Sequence, residues 1–245
     1  MARFFVDKEK ISEGAIIIDG PDAHHIARSL RMAEGDEVVV CDGEGGEYRC
    51  RLSRIRDDEA RCEILEQLNS GTEPEVKITL CMAYPKGDKL EVVIQKAVEL
   101  GVYKIIPFES SRCIKRPKAE KAEKQTTRLQ RIAEEAAKQC KRSKLPSVER
   151  MIKFPELLTK IVGYDLTLFC YEGEGTESLK SVLNKYVKRD GRIAVIVGSE
   201  GGFSEAEAKT ITDKGARCVN LGPRILRCET APDYCLAAIS YHFEL

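Results

Sequence analysis

The chain has 245 residues, of which 42% are hydrophobic and 33% are charged, an ordinary balance for a globular protein of one large or two smaller domains. No apolar run approaches the roughly 20 residues that a membrane helix needs, and the opening residues Met1–Phe5 turn polar too soon for a secretory signal. We therefore expect a cytoplasmic protein that does not enter a membrane.

Ten cysteines invite a disulfide or zinc interpretation, but their spacing does not support one. The closest pair, Cys228 and Cys235, is seven residues apart, and no Cys-x-x-Cys occurs. Others, such as Cys81, lie in apolar strand-like runs. The sequence therefore predicts reduced, mostly buried thiols and no metal site.

The formal net charge is zero, but the charges are unevenly distributed. Residues 1–72 carry 10 basic and 16 acidic side chains, a balance of −6, whereas residues 115–153 carry 13 basic and 5 acidic, a balance of +8. The basic segment is either a surface for phosphate groups or a solvated helical face, and charge alone does not decide between them.

Short strands dominate the first 70 residues. Alternating or apolar runs separated by turns predict strands at Ala15–Ile18, Glu37–Cys41, Glu47–Ile55 and Ala60–Gln67. A helix is predicted at Asp22–Arg31, and the polar residues 69–74 have the composition of a linker. We expect a small β-barrel-like domain at residues 1–72.

Strands and helices alternate from residue 73 to residue 245. The predicted strands are Val76–Ala83, Tyr103–Phe108, Leu166–Tyr171, Ile193–Val197 and Cys218–Leu221, and the predicted helices are Asp88–Leu100, Ala119–Cys140, Thr176–Val187, Glu205–Lys214 and a last one from about Ala231. Helix starts are indicated by cap spacing at Asp88/Glu91, Ser204/Glu207 and Thr230/Asp233. This alternation predicts a mostly parallel sheet with its ligand at the carboxyl ends of the strands.

Three loops at predicted strand ends attract attention, at residues 172–175, 198–204 and 222–230. The second contains three glycines that allow close backbone approach to a ligand, and a helix follows it directly. It is neither a Walker loop nor a Gly-x-Gly-x-x-Gly fingerprint, and by itself it is equally well explained as a tight turn. The third is longer than the 2–6 residues that a simple connection needs, which favours a function.

Motifs spread over nearly the whole chain carry a family resemblance. They are Arg3–Val6, His24–Arg31, Lys86–Gly101, Ser111–Cys113, Gly198–Gly202 and Leu221–Thr230. Together they resemble the motifs of the bacterial 16S ribosomal RNA uridine-N3 methyltransferases, of the SPOUT class. Two departures from the family pattern are Ser199, where proline is usual, and Lys141, where glycine is frequent.

The resemblance implies an α/β fold in which a mostly parallel-sheet, trefoil-knotted SPOUT methyltransferase domain at 73–245 follows a PUA-like β-barrel RNA-binding domain at 1–72. It also implies a homodimer that methylates the uridine numbered 1498 in the family's name, in 16S ribosomal RNA of the small ribosomal subunit. S-adenosyl-L-methionine is the implied cofactor. Its implied binding residues are Cys170, Tyr171, Glu172, Val197, Gly198, Ser199, Glu200, Gly201, Gly202, Leu221, Gly222, Ile225, Leu226 and Arg227.

Methylation at uracil N3 requires that its proton be removed or its anion stabilised. Glu200 and Glu229 are the candidate proton acceptors by loop position, and Arg224 and Arg227 are the candidate anion stabilisers. Helix N-terminal capping is the competing interpretation for both glutamates, and the sequence leaves it open.

Basic residues within or near the motifs are the candidate RNA contacts, since phosphate groups dominate such interfaces. They are Arg3, His25, Arg28, Arg31, Lys86, Lys89, Arg112, Lys115, Arg116, Lys141 and Arg142. Ordinary surface charge is the alternative explanation for several of them.

Three other functions compete with this interpretation. A Rossmann-type methyltransferase would use the loop at 172–175, but only about 70 residues follow, too few for its remaining strands. A non-catalytic RNA-binding module for ribosome assembly would bind RNA but not the methyl donor. A metabolic enzyme would use the glycine loop for a phosphate.

Overall fold

The structure is a computed structural model that describes residues 1–69, 71–113, 122–186 and 188–245. Its contacts divide the chain into two compact units. The first contains Met1–Glu73 together with Ala137–Leu145, and the second contains Pro74–Ala136 and Pro146–Leu245. The first unit thus takes in a segment from the middle of the chain, which no local sequence pattern indicates. Within the described ranges, no helix is both long enough and apolar enough to cross a membrane.

The first unit is built on a six-stranded sheet with the order β1-β4-β5-β6-β3-β2. Its strands are β1 (Arg3–Phe5), β2 (Ile11–Ser12), β3 (Ala15–Asp19), β4 (Glu37–Cys41), β5 (Glu47–Ile55) and β6 (Glu59–Leu68). Every pairing is antiparallel except β1 with β4. Ile16 and Ile18 of β3 and Val38 and Val40 of β4 are fully buried, because alternate residues of each strand face one core.

The helical segment of this unit is shorter and less regular than the sequence predicts. Helix α1 spans Gly20–His24, with Pro21 in its first turn, and continues as a wider helical turn over His25–Ser29. The predicted helix was to reach Arg31, but Arg31 has φ +52°, a left-handed conformation that a helix does not continue through.

The second unit contains an eight-stranded sheet with the order β10-β8-β7-β13-β11-β14-β12, and β9 also pairs with β8. Its strands are β7 (Lys77–Ala83), β8 (Lys104–Glu109), β9 (Ser147–Val148), β10 (Ile152–Lys153), β11 (Leu166–Cys170), β12 (Glu177–Ser178), β13 (Arg192–Val197) and β14 (Arg217–Asn220). Its helices are α2 (Lys89–Glu99), α3 (Ala122–Gln139, which ends in the first unit), α4 (Phe154–Ile161), α5 (Leu179–Lys185), α6 (Glu205–Asp213) and α7 (Thr230–Glu244). All of its strand pairs are parallel, which confirms the predicted α/β class.

The cap predictions for three helices have different outcomes. Ser204 and Glu207 form the predicted capping box at the start of α6. Helix α2 begins directly after Asp88, as predicted, but Asp88 makes no side-chain cap and Glu91 pairs with Arg128 of α3, so only the capping box is wrong. At α7 the flanking residue is Glu229 rather than Thr230, and its side chain makes no cap hydrogen bond.

The strand order decides which loops meet. Strand β11 lies between β13 and β14, with Phe169 opposite Ile196 on one side and Cys170 opposite Val219 on the other. The strands are parallel, so the loops that follow their carboxyl ends emerge at one edge of the sheet. These are the three loops that the sequence singled out.

Candidate active site

A cavity of about 820 Å³ opens where these three loops meet. All fourteen residues predicted to bind the donor line it, and so do the four predicted catalytic residues, Glu200, Arg224, Arg227 and Glu229. Further lining residues, which the sequence did not assign to this cavity, include Lys89, Arg112, Gly173, Thr176, Phe203, Asn220, Pro223, Cys228 and Ala231. The individual roles of the predicted residues stay predictions.

The glycine loop forms a narrow cradle at the end of β13. A Cβ atom on Gly198 would lie 2.9 Å from the ring of the buried Phe203, so no larger residue fits there without displacing that ring. Gly202 has φ +62° and its N–H donates to the carbonyl of Ser199 at 2.9 Å, which closes a tight turn. The Oγ of Ser199 is buried, and among the described residues it has no hydrogen-bond partner. The loop therefore presents a polar atom that a ligand can satisfy.

A buried carboxylate joins this loop to the loop after β8. Glu207 of α6 accepts hydrogen bonds from the N–H of Ser204 at 3.0 Å and from the N–H and Oγ of Ser111, both at 2.7 Å. The adjacent Arg112 donates to the carbonyl of Gly201 at 3.2 Å. Arg112, predicted as an RNA contact, is thus an exposed residue at the edge of the cavity.

Lys89 at the start of α2 lies between the two candidate proton acceptors. Its Nζ is 3.1 Å from Oε1 of Glu200 and 3.0 Å from Oε2 of Glu229. The sequence assigned Lys89 to RNA contact, and the structure places it inside the cavity. Its place in the motif that begins at Lys86 was the local indication that Lys89 has a function. The sequence could not show its two partners, because they lie more than 100 residues further along the chain.

The pKa values of these groups follow from their surroundings. Burial raises the pKa of Glu200, but hydrogen bonds from its own main chain, from Lys89 and from Lys86 outweigh burial, and the net pKa is lowered. The pKa of Glu229 is lowered chiefly by a hydrogen bond from Cys228. Burial and the same contact raise the pKa of Cys228 to about 12. The site therefore holds two ionised carboxylates and a protonated thiol at neutral pH.

The long third loop keeps its charged side chains in the open part of the cavity. Arg224 and Arg227 are exposed, and Ile225 between them is 82% exposed. Gly222 starts the loop with φ +104°, a conformation that suits glycine. Two exposed cations that line a cavity are suited to an anionic or electron-rich ligand.

The predicted RNA contacts of the first unit divide into exposed and buried residues. His25, Arg28, Arg31 and Lys141 are exposed, and Arg28 pairs with Asp57 at 2.6 Å.

Arg3 and Arg142 instead have structural partners within this unit. The Arg3 side chain is 8% exposed and pairs with Glu47 at 2.5 Å, and Arg142 is 4% exposed and pairs with Glu73 at 2.8 Å. These guanidinium groups stabilise the unit in the described arrangement.

In the second unit, Lys86 is exposed, while Lys115 and Arg116 lie outside the described residues. Among the residues that the structure describes, no group of three or more His, Cys, Asp or Glu side chains is arranged to hold a metal ion.

The fold and the cavity define a class of protein. A family model described as an RNA methyltransferase domain matches residues 72–240, and one described as an RNA methyltransferase PUA domain matches residues 18–65. Since the first covers more than half of the chain, the protein is an RNA methyltransferase with an N-terminal PUA domain. The predicted fold class is thereby confirmed, and the competing non-enzymatic and Rossmann-type interpretations are set aside.

Individual relatives narrow the class. The chain is 37% identical to Ribosomal RNA small subunit methyltransferase E of Bacillus subtilis over 251 aligned positions, covering 100% of this chain and 98% of that protein. It is 34% identical to the protein of the same name from Synechocystis, covering 97% and 77%. A crystal structure of Ribosomal RNA small subunit methyltransferase E from Neisseria gonorrhoeae, bound to S-adenosyl methionine, superposes with a TM-score of 0.88 at 31% identity, covering 98% and 97%. The chain belongs to the Ribosomal RNA small subunit methyltransferase E family, which confirms the resemblance drawn from its motifs.

Proposed function

We propose that the protein transfers a methyl group from S-adenosyl-L-methionine to N3 of a uridine in 16S ribosomal RNA, at the position numbered 1498. The observation that carries the proposal is the cavity in which all three motif loops meet. Family membership supports the RNA substrate, and the donor-bound Neisseria relative supports the donor.

The residues of the cavity suit the donor. The three glycines of the second loop line the cavity without side chains, and the buried Oγ of Ser199 offers a hydrogen bond that no described residue takes up. Carboxylates such as Glu172 and Glu200 suit the positive charge of a sulfonium. When bound, the donor supplies an electrophilic methyl group on that sulfonium.

The charged side chains of the cavity are suited to two further tasks, accepting a proton and stabilising negative charge. The carboxylates of Glu200 and Glu229 are ionised and can accept a proton from uracil N3. Arg224 and Arg227 can stabilise charge that develops on the uracil oxygens. The loops hold these groups around one space, and this positioning contributes to the rate by itself.

For RNA contact we propose the exposed residues of the first unit, His25, Arg28, Arg31 and Lys141, and the exposed Lys86 and Arg112 of the second. Such contacts to phosphate groups make binding strongly dependent on salt. We leave Lys115 and Arg116 as sequence predictions, since they lie outside the described residues.

We further propose a homodimer in the cytoplasm. One face of α7 supports the homodimer, because Tyr234 and Tyr241 are 47% and 72% exposed and stand seven residues apart, with the small exposed Ala237 between them. Exposed aromatic side chains beside small residues favour a helix-packing interface. Sedimentation velocity of the wild-type protein and of a Tyr241→Glu variant tests this: the variant should shift from dimer toward monomer.

The activity is tested with small ribosomal subunits that lack the modification. Purified protein and labelled S-adenosylmethionine are added, and the nucleosides are then analysed by mass spectrometry. We expect labelled 3-methyluridine with the wild-type protein, a large loss with Arg227→Ala, and little change with Arg150→Ala, which removes an exposed arginine outside the cavity. A label on another base would contradict the proposed substrate, and a protein that binds no donor would contradict the proposed reaction.

A further inference from the structure

Two carboxylates in one cavity share a single lysine, and their other contacts differ. Lys89 Nζ contacts Glu200 at 3.1 Å and Glu229 at 3.0 Å, so its one charge serves two acids. A site with two acids raises the question of which one takes the proton, since neighbouring groups of the same kind are often given different roles by their surroundings.

The carboxylate of Glu200 is hydrogen-bonded to the main chain at both of its oxygens. The N–H of Lys86 donates to both of its carboxylate oxygens, at 3.2 Å to Oε1 and 3.3 Å to Oε2, and Lys89 also contacts Oε1. These bonds fasten the glycine loop to the turn before α2. A carboxylate that accepts at both oxygens is a poor proton acceptor because protonation would break contacts that hold the loop.

Glu229 has a different environment. Like Glu200 it accepts a hydrogen bond from its own main chain, but its contacts with Lys89 and with the thiol of Cys228, at 3.2 Å, both fall on Oε2. It directly precedes α7, yet its side chain does not cap that helix, so the capping interpretation left open by the sequence does not describe it. The side chain is 25% exposed and lines the cavity.

On the basis of the proposed function, we infer that Glu229 accepts the N3 proton of the target uridine, that Lys89 is the positioning residue for Glu229, and that Glu200 anchors the glycine loop instead. The N3–H bond breaks and its proton passes to the Glu229 carboxylate. The electron pair on N3 forms the bond to the methyl carbon, and the pair of the broken carbon–sulfur bond stays on sulfur.

Cys228 and Lys89 both favour the ionised form of Glu229, and Lys89 is the one of the two that carries a charge. Its ammonium group favours the charged form of a carboxylate 3.0 Å away. The thiol of Cys228 donates to the same oxygen and orients it further. The other charged groups that line the cavity are Arg112, Glu172, Glu200, Arg224 and Arg227. Without Lys89, Glu229 would face Glu200 with no cation between them, and its pKa would rise.

The central test compares Glu229→Gln with Glu200→Gln. Loss of a general base costs about 10²–10⁴-fold in rate. We expect Glu229→Gln to lose about 100-fold or more in kcat while its dissociation constant for S-adenosylmethionine, measured by calorimetry, stays within about twofold of wild type. Glu200→Gln should instead weaken donor binding, because its amide cannot accept from the Lys86 N–H at both positions.

Alkaline rescue separates a proton-accepting role from a structural one. As the pH rises from about 7 to about 9, a growing fraction of uridine N3 loses its proton without help, so the ratio of wild-type to Glu229→Gln rates should fall. A ratio that does not change with pH would overturn the assignment of Glu229, whatever its size.

The positioning role of Lys89 is tested by comparing a variant that removes its charge with one that keeps it. Lys89→Met should move the acid limb of the kcat profile toward neutral pH, and Lys89→Arg should largely restore the wild-type profile. Thermal melts and donor binding verify that each variant is folded. Two variants with the same unshifted profile would overturn the role of Lys89. Wild-type activity that Glu229→Gln retains would overturn the inference alone, whereas a wild-type protein that makes no 3-methyluridine would overturn the proposed function and this inference with it.

Discussion

Glu207 is the buried carboxylate on which the loop after β8 and the start of α6 both depend. It is 8% exposed and accepts hydrogen bonds from the N–H and hydroxyl groups of Ser111 and of Ser204, at 2.7–3.0 Å. In Glu207→Ala the hydroxyl groups can turn to other partners, but the main-chain N–H groups of the two serines cannot. We expect this variant to be the most destabilising single change near the cavity.

The magnitude follows from these contacts. A hydrogen bond to a charged group contributes roughly 1.5–3 kcal/mol, and the exposed Ser111 and half-buried Ser204 put their two main-chain bonds at the lower end of that range. Glu207→Ala should therefore lower the free energy of unfolding by about 3 kcal/mol. In a chain of this length, each kcal/mol shifts the melting temperature by roughly 2–4 °C, so the expected fall is about 6–12 °C.

Differential scanning calorimetry of the wild type, Glu207→Ala and Glu205→Ala tests this prediction. Glu205 is exposed in the same first turn of α6, and its removal should change the unfolding free energy by less than about 0.5 kcal/mol. Equal melting temperatures for the two variants would refute the reasoning, since the first-turn charge they share would then be the only contribution.

The pH dependence provides a second measurement of the same contact. Burial raises the pKa of Glu207, but the hydrogen bonds from Ser111 and Ser204 outweigh burial and lower it below its ordinary value. A lowered folded-state pKa gives stability that is fully present above the unfolded pKa and is lost as the pH falls through the folded pKa. The stability difference between wild type and Glu207→Ala should therefore shrink below about pH 4.

Three further predictions concern strain, the cradle and a buried ion pair. Lys141 has φ +64°, so Lys141→Gly should stabilise the protein by about 0.5 kcal/mol in chemical denaturation, because the relief of left-handed strain exceeds the entropy cost of glycine. Gly198→Ala should weaken donor binding about tenfold in calorimetry, because the new methyl group would meet Phe203 at 2.9 Å. Glu73→Gln should lower the melting temperature by an amount equivalent to about 3 kcal/mol, because it removes the carboxylate opposite the buried Arg142.

Matched variants give each of these predictions its control. Gly163→Ala should leave donor binding unchanged, since a Cβ there would make an ordinary 3.6 Å contact outside the cavity. Lys141→Ala keeps the left-handed strain and should not stabilise the chain. Glu66→Gln removes an exposed carboxylate of the first unit and should cost little. Equal effects in a variant and its control would contradict the corresponding argument.

Local patterns determined much of the secondary structure. The apolar run of β4 and the alternation of side chains in β5 predicted both strands with their observed limits. The Ser204–Glu207 capping box was also predictable, because its two residues lie within one turn of the helix. The two-residue strands β2, β9, β10 and β12 were not, because so few residues carry no period.

The sequence did not predict the partners of charged side chains that pair with residues far away in the chain. Glu91 has the spacing of a capping residue but pairs with Arg128, 37 positions away. Arg142 was predicted to face RNA, yet it pairs with Glu73 in the buried part of the first unit. Whether a charged side chain is solvated or paired is a property of the packed chain, not of its neighbours in sequence.

The sequence by itself determined the family, the alternation of strands and helices, and the three loops that line the cavity. Each of these depends on residues that are close together in the chain, so a local pattern is enough to predict it. Only the tertiary structure decided how the site is assembled. The order β13-β11-β14 brings the loops to one edge, and Lys89 joins Glu200 and Glu229 across more than 100 residues of chain. Hydrogen bonds and ion pairs act over about 3 Å in space whatever the separation in sequence, so the partners of a charged side chain become known only when the chain is folded.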